Sequence, residues 1–349
     1  MTFKIPAPLV SLILLLGSIL SSKAQSVQFT NFQMELSGQP LLKITLPFKD
    51  VRVFDKRFDT SKLGYLFSGP HYKNIVLKPS LSGAVEDYFR KNFVFSTESD
   101  KILVVMLKTT WMHEMRSGEE DVEDFNNELQ KLSKCIFKAD VYSSENNSYQ
   151  ALVRVDTSLE NKNPLVNVSS VLLLNSLNYT ADKILSLDLN QLFTKKTKIN
   201  ATDVMNYYDQ RLKKPRIAND LLQRGVYLTF DDFLNNRLTA YKFSLEQDEE
   251  SDYMYIEENG EEKLFTDFWG FSDGENLYIK LGFNFFKLTK DNNTYSFWGC
   301  RRAVHITPSR NKNRVVRYMA FGNLANLRNA KLKNLLRPMQ LDMESGKAY

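Results

Sequence analysis

Cysteine and histidine are scarce in this chain. The only cysteines are Cys135 and Cys300; they could pair in an oxidising compartment, but they fall in different expected domains, so two separately buried thiols are the expectation. The three histidines, His71, His113 and His305, stand in distant segments, and no metal site is assigned to them. His113-Glu114 begins like a zinc-protease helix, but Ser117 occupies the place of the second histidine. No G-x-S-x-G turn presents a serine nucleophile, and nothing near Cys135 or Cys300 supports Cys-His catalysis. Gly64, Gly69 and Gly83 are too scattered for a phosphate-cradling loop, and no cofactor is assigned.

Long apolar runs are also missing after the first two dozen residues. Lys4 is followed by a mostly apolar run over 7–20, interrupted by Pro8 and Gly17 and closed by Ser22-Lys23-Ala24. That run is short of the ~20 residues a spanning helix needs, and the small-residue close resembles a signal-peptidase site. Residues 1–24 are therefore expected to be a signal peptide and Gln25 the mature start, with no transmembrane segment in the mature chain. The expected location is periplasmic or secreted, soluble after cleavage. Without Lys4 and Lys23 the formal charge falls from +5 to +3, too modest to argue for nucleic acid.

The mature length suits two domains. Residues 25–215 are expected to form an α/β domain with a helical C-terminal part. Val51 to Phe54 alternate as a strand. Leu81, Val85, Tyr88, Phe89 and Phe93 recur near the helical period after Pro79-Ser80, predicting a helix over 81–93. The apolar run 102–107 reads as a strand covered on both faces. A hairpin over 132–142 and 149–157 follows, with its turn at 144–147. Helices are then predicted over 168–175, 181–193 and 203–212, the last with Thr202 as its N-cap.

Residues 225–349 are expected to form an antiparallel β domain with a basic C-terminal segment. Strands are predicted over 226–230, 238–245, 285–288 and 295–298, with a turn at 291–293. In 265–280, Asp273-Gly274 predicts a two-residue type I′ turn. That register sets Ser272 opposite Glu275, Trp269 opposite Tyr278, Phe268 opposite Ile279 and Asp267 opposite Lys280. Phe268, Gly270, Leu277, Ile279 and Leu281 would then share a core face, and Asp267, Trp269, Phe271, Tyr278 and Lys280 a half-polar one. Residues 246–262 hold nine carboxylates and no base, and 301–340 hold ten bases and no acid. The first reads as an exposed loop or edge, the second as either an anion-binding surface or its counterpart. The tail 341–349 reads as short and polar.

Candidate binding residues are Trp269, Phe271 and Tyr278, aromatics on one face as in sugar- or peptide-binding platforms, and Arg301 and Arg302 of the basic segment. Asp50, Asp55 and Asp59 could serve as paired carboxylates; turn hydrogen bonds and pairing with Lys56, Arg57 or Lys62 account for them more simply.

The stretches 225–233, 269–274 and 340–346 resemble uncharacterised exported proteins of Bacteroidota. Residues 53–64, the helix 81–93 and the strand 102–107 are similar to envelope lipoproteins of the ABC-transport auxiliary type, although this chain lacks the lipid-bearing cysteine. The overall expectation is an α+β protein, an N-terminal α/β domain followed by a mainly antiparallel β-meander domain. Its expected role is a non-catalytic envelope or surface protein that binds an unknown protein or glycan partner. The alternatives are a hydrolase whose site is not recognisable from sequence and an accessory subunit of an envelope transporter.

Overall fold

The computed structural model describes residues 29–36, 44–68, 71–116, 131–194, 197–213, 217, 220–239, 242–247, 251–282, 284–299, 316–317 and 336–349. The stretch expected as a signal peptide, Arg301, Arg302 and most of the basic segment lie outside them. Residues Asn31–Tyr349 belong to one compact unit.

Its first half contains β1 (Thr30–Met34), β2 (Ile44–Leu46), β3 (Asp50–Asp55), β4 (Gly64–Ser68), β5 (His71–Leu77), α1 (Leu81–Asn92) and β6 (Phe93–Phe95). The long strands β7 (Ile102–Arg116), β8 (Lys131–Glu145) and β9 (Ser148–Asn161) follow, then α2 (Leu165–Leu185), α3 (Leu189–Thr194), β10 (Ile199–Asn200) and α4 (Ala201–Lys213). The main sheet runs β1-β5-β4-β7-β8-β9-β10, with β3 also paired to β7. β3 and β7 are parallel, from Asp50 opposite Ile102 to Asp55 opposite Leu107, and α1 makes the crossover between them. The strand–helix–strand expectation is thus met. Ser80 caps α1 by accepting from the Gly83 amide, and Leu81, Val85 and Phe89 enter the core. The turn between β8 and β9 is the pair Asn146-Asn147, both at positive φ, as a two-residue hairpin loop requires.

Two helix expectations need correction. Residues 168–175 and 181–193 were expected as separate helices, but 165–185 form one, because the polar residues between them are accommodated. Ser176 and Thr180 are fully buried, and each hydroxyl donates to the carbonyl four residues back, on Leu172 and Ser176. α4 begins one residue before Thr202. Its cap is Asn200, whose side chain accepts from the Thr202 amide.

The second half contains β11 (Arg224–Tyr227), α5 (Phe230–Leu234), β12 (Phe243–Gln247), β13 (Asp252–Glu258), β14 (Glu261–Leu264), β15 (Gly270–Asp273), β16 (Leu277–Leu281), β17 (Asn284–Asp291), β18 (Thr294–Gly299), β19 (Val316–Arg317) and β20 (Arg337–Gln340). One sheet runs β11-β15-β16-β17-β18-β20 and another β14-β13-β12-β19. All their pairings are antiparallel. The protein is therefore α+β, a mixed sheet followed by an antiparallel meander.

The hairpin register differs from expectation by two residues. Phe271 faces Tyr278 and Gly270 faces Ile279. The loop is Gly274-Glu275, closed by the Asp273 amide donating to the Asn276 carbonyl, and only Gly274 has positive φ. The Asp273 carboxylate explains the shift, since it accepts from the amides of Glu275 and Asn276 and holds itself in the strand end. The half-polar face is also corrected. Phe271 is fully buried with Val226, Phe243, Met254, Phe268 and Phe285 between the two sheets, while Leu277 and Ile279 pack in a second core with Tyr227, Phe233 and Met339. Of the two expectations for 246–262, the edge is met at its end: Asn259-Gly260, both at positive φ, turns β13 into β14, the exposed edge strand of its sheet. The tail is not merely polar either, because Leu341, Met343 and Ala348 are buried. Among the described residues no helix is long and apolar enough to cross a membrane.

Candidate functional site

Sequence order places a polar loop, 56–63, directly after β3. In the structure it lies against β17, β18 and β20 of the second half. Arg57 forks onto Asp55, Nε to Oδ1 at 2.9 Å and Nη2 to Oδ2 at 2.8 Å, and donates through Nη1 to the Lys62 carbonyl. Asp59 accepts from the Ser61 amide and hydroxyl and pairs with Lys62 at 2.8 Å. The aspartates thus form turn hydrogen bonds and local ion pairs. Lys62, 5% exposed, also reaches Asp291 of β17 at 2.5 Å.

A β-bulge supplies the next charge. The register between β7 and β8 shifts between Leu107 and Thr109, and the unpaired Lys108 is buried between Asp140 at 3.6 Å and Glu344 of the tail at 3.3 Å. Arg211 of α4 donates to the same Glu344 at 2.7 Å. Asp140 also accepts from Tyr208 and Arg154, and Lys138 approaches Asp342 at 3.7 Å. Burial alone would raise the pKa of the Asp59 and Asp140 carboxyls. Lys62 and Ser61 outweigh it at Asp59, and Tyr208, Arg154 and Lys108 outweigh it at Asp140, so both pKa values lie below the ordinary aspartate range. Burial would lower the Lys62 pKa, but Tyr65, Asp59 and Asp291 together raise it. Burial and Asp342 push the Tyr349 phenol up, and burial and Asp140 do the same at Tyr208. Asp59, Asp140 and Lys62 are thus held in their charged forms, and Tyr208 and Tyr349 remain protonated.

Between these pairs lies a cleft of about 40 Å³, room for two or three water-sized groups. Arg57, Asp59, Lys108, Trp111, Gln340 and Asp342 line it. Among the described residues, three that line it keep a buried polar atom without a partner: Thr110 Oγ1, Trp111 Nε1 and Gln340 Oε1. His113, near the same strand end, stacks on Tyr349 with ring centres 6.2 Å apart. Among the described residues no group of three or more His, Cys, Asp or Glu is placed to hold a metal ion. Cys135 is a free, fully buried thiol, its pKa pushed up to about 12 by burial.

The aromatic residues singled out from sequence do not form a shared surface. Phe271 stacks on Tyr278 at 4.7 Å inside the inter-sheet core. Trp269 packs instead on Phe233 at 4.5 Å and Phe230 at 5.3 Å, beside the other core. A different row reaches solvent: Phe67 on β4 is 40% exposed and Trp298 on β18 is 41% exposed. Tyr72 on β5 stands between them, with ring centres 5.0 Å from Phe67 and 5.6 Å from Trp298. The row spans both halves, so no local periodicity announces it. Of the cleft residues, Arg57 and Asp59 stand out as a polar turn and 340–346 by resemblance, whereas Lys108 and Trp111 carry no signal.

No protein-family model matches the chain, and no curated protein matches it. A solved structure described as "Crystal structure of uncharacterized protein" is similar at 13% identity over 45% of this chain and 97% of that chain, with a TM-score of 0.26.

Proposed function

We propose that this is an exported, non-catalytic binding protein that holds a protein partner on the row Phe67, Tyr72 and Trp298. The observation that carries the reading is the exposure of two large aromatic side chains in one contiguous row. Aromatic side chains are enriched at protein interfaces, where they act as rigid anchors. The rings are tilted by 52° and 81° to one another, so they present no common flat face. A sugar ring stacks on a flat aromatic face, and this ridge suits protein side chains better. The leader-like residues 1–24 support export. Pairing of the junction's buried acids with its bases supports a non-catalytic role, since a general acid or base needs a pKa near the working pH.

The test is affinity capture from the source organism's envelope fraction, with the wild-type chain and a Phe67→Ser/Trp298→Ser double variant of matched melting temperature. One protein recovered with the wild type and lost with the variant is the expected result. Equal recovery by both, or wild-type binding of neutral oligosaccharides that the variant loses, would refute the proposed protein interface.

A further inference from the structure

We propose that Asn259 is a site of spontaneous covalent modification, losing its side-chain amide to attack by the Gly260 nitrogen and becoming an aspartyl or isoaspartyl residue. Asn259-Gly260 is the one Asn-Gly dipeptide of the chain. It forms the two-residue turn from β13 to β14, with φ of 57° at Asn259 and 82° at Gly260. Both residues are exposed, and so is every residue from Glu257 to Leu264. Gly260 has no side chain to hinder approach to its amide, and nothing lies within 4 Å of where a Cβ would stand. Among the described residues, neither the Asn259 side chain nor the Gly260 amide has a hydrogen-bond partner, so both reacting groups are free. The turn is also weakly held. Glu257 stands opposite Glu262 and Glu258 opposite Glu261, like charges across the ladder. Lys263 at 2.7 Å from Glu258 and Lys242 at 3.9 Å from Glu257 offset them, but all four side chains are more than half exposed. Local opening then lets the turn reach the geometry in which the Gly260 nitrogen meets Asn259 Cγ.

The step balances with water as its co-reactant. The Gly260 nitrogen gives up its proton and bonds to Asn259 Cγ. The Cγ–Nδ2 bond breaks, and that nitrogen takes up the released proton and leaves as ammonia. Water then opens the cyclic imide at either carbonyl. Breaking the bond from nitrogen to Cγ gives aspartate. Breaking the bond from nitrogen to the main-chain carbonyl carbon gives isoaspartate, whose backbone runs through the former side chain. Either product puts a new carboxylate between Glu258 and Glu261, and the isoaspartyl form also lengthens the backbone within the turn that sets their register. Chemically similar pairs elsewhere are held away from this reaction. The Asp273 carboxylate accepts from the Glu275 and Asn276 amides, and the Gly274 amide donates to Ser272 Oγ at 3.1 Å. The Asn200 side chain accepts from the Thr202 amide, and the Ala201 amide donates to the Asn147 carbonyl. After Asn147, Ser148 is paired with Glu145 in the β8–β9 ladder.

The test is peptide mapping by mass spectrometry after the folded chain has been incubated at physiological temperature in mildly alkaline buffer. Conversion of amide to acid is expected first at Asn259, several-fold faster than at Asn147 or Asn200. Two products are expected. One co-elutes with the peptide from an Asn259→Asp variant, and the other is methylated by an isoaspartyl-specific methyltransferase. Gly260→Ala, whose methyl group crowds the attacking nitrogen, should slow conversion at Asn259 several-fold while Asn147 and Asn200 keep their rates. An Asn259 that keeps its amide while Asn147 or Asn200 loses it would overturn the proposal, as would equal rates at Asn259 in the wild type and Gly260→Ala. An aspartyl product alone would mean direct hydrolysis without the imide, and would overturn it as well.

Discussion

Lys62 Nζ lies 2.5 Å from Asp291 Oδ2, joining residues 229 apart in sequence, the loop before β4 and the end of β17. The same ammonium pairs with Asp59, whose side chain is almost fully buried. Removing it leaves Asp59 as an uncompensated buried charge. Lys62→Met is therefore expected to destabilise the protein by about 3 kcal/mol. Asp291 is nearly one-third exposed and leaves Lys62 its second partner, so Asp291→Asn is expected to cost about 1 kcal/mol. Urea midpoints at unchanged slope measure both, and equal losses would show that the Asp59 contact carries no weight.

Acid should loosen the junction. The Asp59 and Asp140 carboxyls are held below the ordinary value of 3.8, so their contribution is fully present above it and is lost as pH falls through their lowered values. Lys62 is raised above 10.5, so its contribution is present below that and is lost as pH rises through the raised value. Melting temperature should therefore drop below about pH 4. Asp140→Asn should melt lower at neutral pH and lose less on acidification. Parallel profiles for variant and wild type would exclude Asp140 as a contributor to the acid drop.

Two glycines with positive φ should respond differently to alanine. A Cβ on Gly64 would stand 1.8 Å from the Met112 carbonyl oxygen, backbone that cannot move aside without parting β4 from β7. Gly64→Ala is expected to cost more than about 4 kcal/mol. At Gly260 nothing lies within 4 Å, so Gly260→Ala carries only the conformational cost, about 1–2 kcal/mol. Denaturant melts of both variants check the ranking.

Core and surface aromatics should separate as cleanly. Phe271→Ala removes a fully buried ring and is expected to cost about 3–5 kcal/mol. Trp298→Ala, at an exposed ring that still touches Tyr72, is expected to cost about 1 kcal/mol. A large loss at Trp298 would make it a structural residue and remove it from the proposed interface.

What was legible in the sequence was local. The helix after Ser80, the parallel strands it joins and the β8–β9 hairpin follow from periodicity and turn chemistry within a dozen residues. Asp273-Gly274 has the composition of a two-residue turn, but the Asp273 side chain binds two following amides and moves the loop on by one residue. The shift changes each partner by two residues, so Phe271 and Tyr278 keep a shared face. That face is buried because a second sheet covers it, a long-range fact no alternation records. The cleft was illegible for the same reason. Lys108 is turned inward by a bulge, and Trp111 and Gln340 line one cleft from positions 229 residues apart in sequence. The aromatic row likewise takes Phe67 and Tyr72 from one half and Trp298 from the other.

The most direct test of the binding role places a photo-crosslinking amino acid at position 67 and, separately, at position 221, where Leu221 is, among the described residues, the most exposed large apolar one. After irradiation in the source organism, the account predicts one discrete protein adduct from position 67, absent from position 221 and lost when Trp298→Ala is added. No adduct from position 67, or the same adducts from both positions, would contradict it.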